Sequence, residues 1–178
     1  MSLDSELSKI KSAGADCVVV WLTPQDTARF AQEARNEGAT FKILGNDEIN
    51  ADDTFSKLAG SAAQGAVGAS ITTELEQGPE LKEFEDRYQK EFGVEATPFS
   101  TATYDAVFML KQVIEEKKST DSADIRDGME EVTGFEGLQG TLGFDEQEHA
   151  TLTRKQLTLV EYDGSEWKPL AKQPKGAE

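Results

Sequence analysis

Apolar positions in the first part of the chain switch between helical spacing and continuous runs. Leu3, Leu7 and Ile10 recur at helical spacing, and Gly14 closes that helix. Cys17-Val18-Val19-Val20-Trp21 follows as an unbroken apolar run. Such a run predicts a strand inside a parallel sheet covered on both faces, with Cys17 as a buried, inert thiol. Thr23-Pro24-Gln25-Asp26 then reads as a helix start: a capping hydroxyl, proline at the first helical position and an acid three residues after the cap. Ala28, Ala31 and Ala34 mark the inner side of that helix, and Gly38 ends it. Phe41-Lys42-Ile43-Leu44 is a second strand. A short helix over 52–58 leads to a third, over 66–71. The three runs begin at 17, 41 and 66, a repeat of about 25 residues that suits β-α-β units with short loops. Residues 1–77 therefore read as repeated crossovers on a parallel sheet.

Beyond Gly78-Pro79 the pattern is helical. One helix places Leu81, Phe84, Tyr88 and Phe92 on a single face. A second, after Pro98, carries Tyr104, Val107, Phe108, Leu110 and Ile114. A third, over 122–132, is more polar. The aromatic faces of the first two need a partner surface, and Tyr104 reads as a packing residue beside Val107 and Phe108. The tail returns to strand, near Leu142-Gly143-Phe144 and over 156–162. Asp163-Gly164 then signals a hairpin back to 167–170. The end from Lys172 looks frayed. The fold class is thus α/β: a parallel sheet flanked by helices, with a C-terminal β-hairpin.

Composition narrows the function. A chain of 178 residues makes one domain or two small ones. Thirty-four acids against 18 bases leave a net charge of −16, which repels phosphate backbones and anionic lipids. No nucleic acid is expected as a partner. A single cysteine excludes an intrachain disulfide. No apolar run approaches the roughly 20 residues of a membrane helix. The first residues lack the basic start and apolar core of a secretory signal, so either the protein stays inside the cell or its start has been removed.

No G-x-S-x-G elbow, Walker loop or G-x-G-x-x-G after a strand is present. His149 is the only histidine and lies in a polar stretch, so it reads as a surface residue. Acid pairs such as Asp52-Asp53 and Glu115-Glu116 are expected in so acidic a chain, and neighbours on a helix point different ways. Chemistry concentrates instead at the carboxyl ends of the strands, where open parallel sheets bind ligands. That edge comprises Leu22-Thr23, Asn46-Asp47 and Thr72-Thr73-Glu74. Its hydroxyls, amide and carboxylates suit a polar ligand with a cationic group better than a phosphate. The competing reading is local: Thr23 caps its helix, and Asn46-Asp47 makes a turn.

Several stretches carry a family likeness: Ala13-Gly14-Ala15-Asp16 entering the first strand, Ala34-Arg35-Asn36-Glu37-Gly38, and Ala59-Gly60-Ser61-Ala62-Ala63-Gln64-Gly65. Phe84-Glu85-Asp86-Arg87-Tyr88, Thr103-Tyr104-Asp105-Ala106-Val107, and Phe135-Glu136-Gly137-Leu138-Gln139-Gly140 before Gly143-Phe144-Asp145 continue it. In order and spacing the chain resembles the C-terminal half of a periplasmic solute-binding protein of the branched-chain amino-acid class, with the type I fold. The resemblance implies a fragment of a two-lobed clamshell. Residues 1–77 match the later part of the second lobe, and 78–140 a helical segment of the first. Residues 141–178 match a crossover and hairpin returning to the second. It implies a periplasmic or extracellular receptor with no catalysis and no cofactor. That receptor takes a small amino-acid-like solute and presents it to the membrane permease of an ABC transporter. Sensing domains of signalling receptors and amide sensors share the clamshell and form the alternative.

By the same resemblance, Thr23 matches a ligand-contacting position that is usually aromatic. Asp47, preceded by Asn46, matches an acid that meets the ligand's ammonium group, and Phe99 matches an aromatic that closes the side-chain pocket. Family chains are about twice this long, so the chain is expected to be a partial one. Its helices would then leave Leu81, Phe84, Tyr88 and Phe108 uncovered and favour homodimerisation or repacking onto its own sheet.

Overall fold

The computed structural model describes residues 3–70, 78–149 and 157–173. Along the chain come α1 (Asp4–Ala13), β1 (Cys17–Val20), α2 (Pro24–Asn36), β2 (Lys42–Gly45), α3 (Thr54–Ala59) and β3 (Val67–Ser70). One-turn 3-10 helices, Asp47–Asn50 and Gly60–Ala63, flank α3. Then follow α4 (Pro79–Phe92), α5 (Pro98–Lys117), α6 (Ser122–Glu130), β4 (Phe135–Gly137) and β5 (Gly140–Leu142). The strands β6 (Thr158–Tyr162) and β7 (Trp167–Pro169) close the order. The chain forms two compact units, Met1–Ser70 with Thr158–Glu178, and Ile71–Leu157. The change read at 140/141 falls within the β4–β5 pair, which lies wholly in the second unit.

The first unit is built on a five-stranded sheet of order β1-β2-β3-β6-β7. Its first three strands are parallel, in keeping with the crossover pattern, and β6 and β7 add antiparallel. Asp163-Gly164 turns the β6–β7 hairpin as the sequence predicts. Thr23 caps α2, accepting from the Asp26 amide, with Pro24 at the first helical position. Ala28, Ala31 and Ala34 are buried, and their small side chains let α2 lie close to its neighbours. The core gathers Leu7, Phe30, Ile43, Ile49 and Phe55, with Tyr162 and Trp167 packed against it. Burying a side chain such as Phe55 is worth roughly 1.5–3 kcal/mol.

Two expectations for the first strand fail. β1 is an edge strand, and only one of its faces is covered. Val18 and Val20 join the helix-side core, whereas Val19 is 67% and Trp21 76% exposed. Cys17 shares that alternation and is exposed as well, not buried. An all-apolar run reads the same on both sides, so it cannot tell which side the crossover helices take. Of the end read as frayed from Lys172, residues 174–178 lie outside the described residues, and at Gln173 the side chain bonds both the amide and the carbonyl of Leu159 on β6.

In the second unit, Met109, Val113, Val132 and Leu142 form a small core flanked by Ile125, Phe135 and Phe144. β4 pairs with β5 as a short antiparallel hairpin. The inward side of α5 is Thr101, Asp105, Met109 and Val113, whereas the apolar Val107, Phe108 and Leu110 face solvent. An aromatic chain runs Phe92–Tyr88–Phe84–Tyr104–Phe108, with centroids 4.6, 5.7, 5.0 and 4.5 Å apart. Tyr104 is thus a packing residue, as read. Leu81 is buried, against the expectation that it stands uncovered.

Candidate functional site

The ends of β1 and β2 lie side by side because Val20 pairs with Gly45. Two segments leave from there. One is Trp21-Leu22-Thr23 leading into α2; the other is Asn46-Asp47 leading into the 3-10 turn. The Leu22 carbonyl ties them together, accepting from Asn46 Nδ2 and from the fully buried Thr27 hydroxyl, each at 3.4 Å. Thr23, Asn46 and Asp47 are therefore neighbours at one corner of the sheet. Phe99 belongs to the other unit, in the first turn of α5, and is 49% exposed. Thr72-Thr73-Glu74, read as part of the same edge, lie outside the described residues.

Each of these side chains has a definite hydrogen-bonding state. Thr23 is committed to its helix: its oxygen accepts from the Asp26 amide at 3.3 Å, and its hydroxyl donates to Asp26 Oδ2 at 3.1 Å. Asp47 is half-buried at the start of the 3-10 turn. Asn46 is only 5% exposed, and with its amide nitrogen given to Leu22 its Oδ1 has no partner. The Oδ1 atom of Asn50, one turn on, is likewise buried and unpartnered. A buried acceptor without a donor costs about 1–3 kcal/mol, so this corner favours an incoming N–H or O–H group. An acceptor amide beside a carboxylate recognises a cationic donor and repels an anion.

Thr27 and Asn50 were missed by the sequence reading. Both sit in stretches whose local pattern is fully explained by helix and turn formation. Asp105 and Gln139 lie in separate stretches of the sequence, and the structure joins them through a hydrogen bond from the Gln139 amide to Asp105 Oδ2. His149 is exposed as expected, with Nε2 3.6 Å from Glu130 Oε1. Among the described residues no group of three His, Cys, Asp or Glu side chains could hold a metal ion. Nor is any described helix long and apolar enough to cross a membrane. An open groove of about 740 Å³ in the second unit, lined by Tyr104, Phe108, Phe135 and Glu136 among others, contains none of the predicted site residues.

A leucine-binding protein from Thermotoga maritima superposes with a TM-score of 0.81 at 22% identity, over 96% of this chain and 48% of its own. The substrate-binding protein of a branched-chain amino-acid transporter from Streptococcus pneumoniae, solved with isoleucine, gives 0.76 at 24% identity, over 94% and 47%. An extracellular ligand-binding receptor from Rhodopseudomonas palustris gives 0.79 at 19%, over 95% and 52%. The chain therefore spans about half the length of the structures it matches. No curated protein matches it by sequence. At these identities the superpositions establish the fold; the family rests on a sequence model described as periplasmic binding protein, which matches residues 2–166. With the parallel sheet, the returning hairpin and this match in agreement, the chain belongs to the periplasmic binding protein family.

Proposed function

We propose that this chain supplies solute-recognising surface of a binding protein for branched-chain or related amino acids, or another small polar solute. In this reading it serves the permease of an ABC transporter, in the periplasm or outside the cell, and catalyses nothing. One observation carries it: the buried, unpartnered Asn46 Oδ1 beside Asp47 at the carboxyl end of β2. Two acceptors at a sheet edge suit the ammonium group of an amino acid, with Asp47 supplying the charge and Asn46 the directed lone pair. Thr23, turned into its own cap, leaves room at its position instead of contributing a ring. Phe99, matched by the resemblance to an aromatic of the side-chain pocket, is proposed as a further solute contact. The relatives whose names state a leucine-binding role or an isoleucine complex point to the same solute class.

Titration calorimetry with L-isoleucine and its deaminated 2-oxo acid tests this. The amino acid should bind, Asp47→Ala should abolish binding, and Asn46→Ala should weaken it. Equal binding of the oxo acid would remove the ammonium reading. Sensing is the second reading, favoured by relatives named as extracellular ligand-binding receptors. It uses the same site and differs only in the protein that reads the bound state.

A further inference from the structure

Phe99 stands in the first turn of α5 with half of its surface exposed. Its ring is therefore placed chiefly by the backbone beneath it. First turns are where helices fray. This one carries a reciprocal cap: Ser100 N donates to Thr97 Oγ1 at 3.4 Å, and Thr97 N donates to Ser100 Oγ at 3.2 Å. It also carries a tie from outside the helix. Gln139, in the β4–β5 turn, donates through Nε2 to the Pro98 carbonyl at 2.9 Å and to Thr101 Oγ1 at 3.2 Å. Thr101 is buried, and its own hydroxyl donates to the Pro98 carbonyl at 2.9 Å.

Gln139 is itself held. Asp105, two turns further along α5, is 2% exposed. Its Oδ1 accepts from the Leu138 amide at 2.8 Å and its Oδ2 from the Gln139 amide at 3.0 Å. Gly137 makes the approach possible, since a Cβ there would lie 2.6 Å from Asp105 Oδ2. The hairpin turn is thus pinned at two heights of α5. One is the buried carboxylate holding the turn's amides; the other is the turn's own amide side chain holding the helix start. A buried acceptor side chain that takes two backbone amides at once holds the turn in one geometry.

We propose that Gln139, anchored by Asp105, is the positioning residue for Phe99, fixing the first turn of α5 and hence where the ring is presented. The functional weight of this rests on reading Phe99 as a solute contact; the positioning itself does not. Gln139 touches no solute in this account and acts through the backbone of Pro98 and the hydroxyl of Thr101.

Amide hydrogen exchange on the whole 178-residue chain tests it. The Thr101 and Ala102 amides report the first turn, and those of Met109 and Val113 the body of the helix. Gln139→Ala should speed exchange at Thr101 and Ala102 by about tenfold or more and leave Met109 and Val113 unchanged. Gln139→Glu keeps the length but aims an acceptor at the Pro98 carbonyl, so it should behave like Gln139→Ala. Gln139→Lys restores a donor of similar reach and should recover protection. Unchanged protection in both Gln139→Ala and Gln139→Glu overturns the proposal. So does exchange that rises along all of α5, since Gln139 would then be a general stability residue. Titration with L-isoleucine separates the two readings. If Phe99→Ala leaves affinity unchanged while Gln139→Ala loosens the first turn, Phe99 is not a solute contact but its positioning stands.

Discussion

Gly68 on β3 lies directly beneath the Asn50 side chain, so close that a Cβ at 68 would overlap the amide oxygen. Asn50 belongs to the 3-10 turn that follows the Asn46-Asp47 corner, so this contact sets how closely the turn sits on the sheet. Gly68→Ala should destabilise the first unit by about 1–3 kcal/mol, the usual cost of forcing atoms into a packed interior. Asn50→Ala in the Gly68→Ala background should recover part of that loss, because the two sites share one contact. Urea unfolding of the four proteins in this cycle measures the coupling; strictly additive losses would mean the contact is not the cause.

The two tryptophans should report opposite environments. Trp21 is 76% exposed beyond β1, whereas Trp167 packs against Phe55 and Tyr162 with centroids 6.1 and 5.4 Å away. In Trp21→Phe the remaining emission should be blue-shifted and resist acrylamide. In Trp167→Phe it should be red-shifted and quench readily. A protected Trp21 in the isolated chain would show that the free face of β1 is covered in solution.

What the sequence made legible was local and periodic. Thr23-Pro24-Gln25-Asp26 announced the start of α2, and the repeat of apolar runs announced the parallel order of β1, β2 and β3. Asp163-Gly164 announced the hairpin. Sidedness was not legible. Val18 and Val19 are the same residue type with opposite fates, because burial depends on which face of the sheet the core covers and not on either side chain. The same holds for α5, where apolar Val107 faces solvent and polar Asp105 is buried. Buried Asp105 is satisfied by two amides from residues 138 and 139, a pairing across more than thirty positions that no local pattern encodes. At the candidate site the sequence named Asn46 and Asp47 by their place after a strand. The orphaned acceptor that gives Asn46 its meaning appears only when Leu22 takes its nitrogen.

The β6–β7 turn should resist acid. Lys168 beside Asp163, joined by the Glu166 amide and the hydroxyl and amide of Ser165, holds the Asp163 carboxyl well below the ordinary carboxylate range. A carboxyl lowered on folding contributes stability above its unfolded pKa, about 3.9, and that contribution fades only as pH falls below this toward the folded value. Protection of the Ser165 and Glu166 amides should therefore hold from neutral pH down to about 4.5 and decay in stronger acid. Asp163→Asn should remove that acid-dependent step. Loss of protection already at neutral to mildly acid pH in the unaltered chain would contradict this origin.

Self-association sets two opposing terms against each other, and salt decides between them. On α5, Val107 and Leu110, three positions apart and so neighbours on one helical face, are 58% and 40% exposed. Burying apolar surface gains roughly 25 cal/mol per Å². Against this stands a net charge of −16 on each copy, which makes close approach costly at low ionic strength. At 0.15 M salt the screening length is about 8 Å, so charges away from a contact cease to oppose it. The apolar term does not weaken in the same way. Homodimerisation through α5 should therefore strengthen with added salt, the reverse of an association driven by ion pairs. Light scattering across a salt series, with Val107→Glu and Leu110→Glu together as the control, measures it. The control should stay monomeric at every salt concentration. Dimers that dissociate as salt rises, or that survive the double substitution, would place the contact elsewhere than this face of α5.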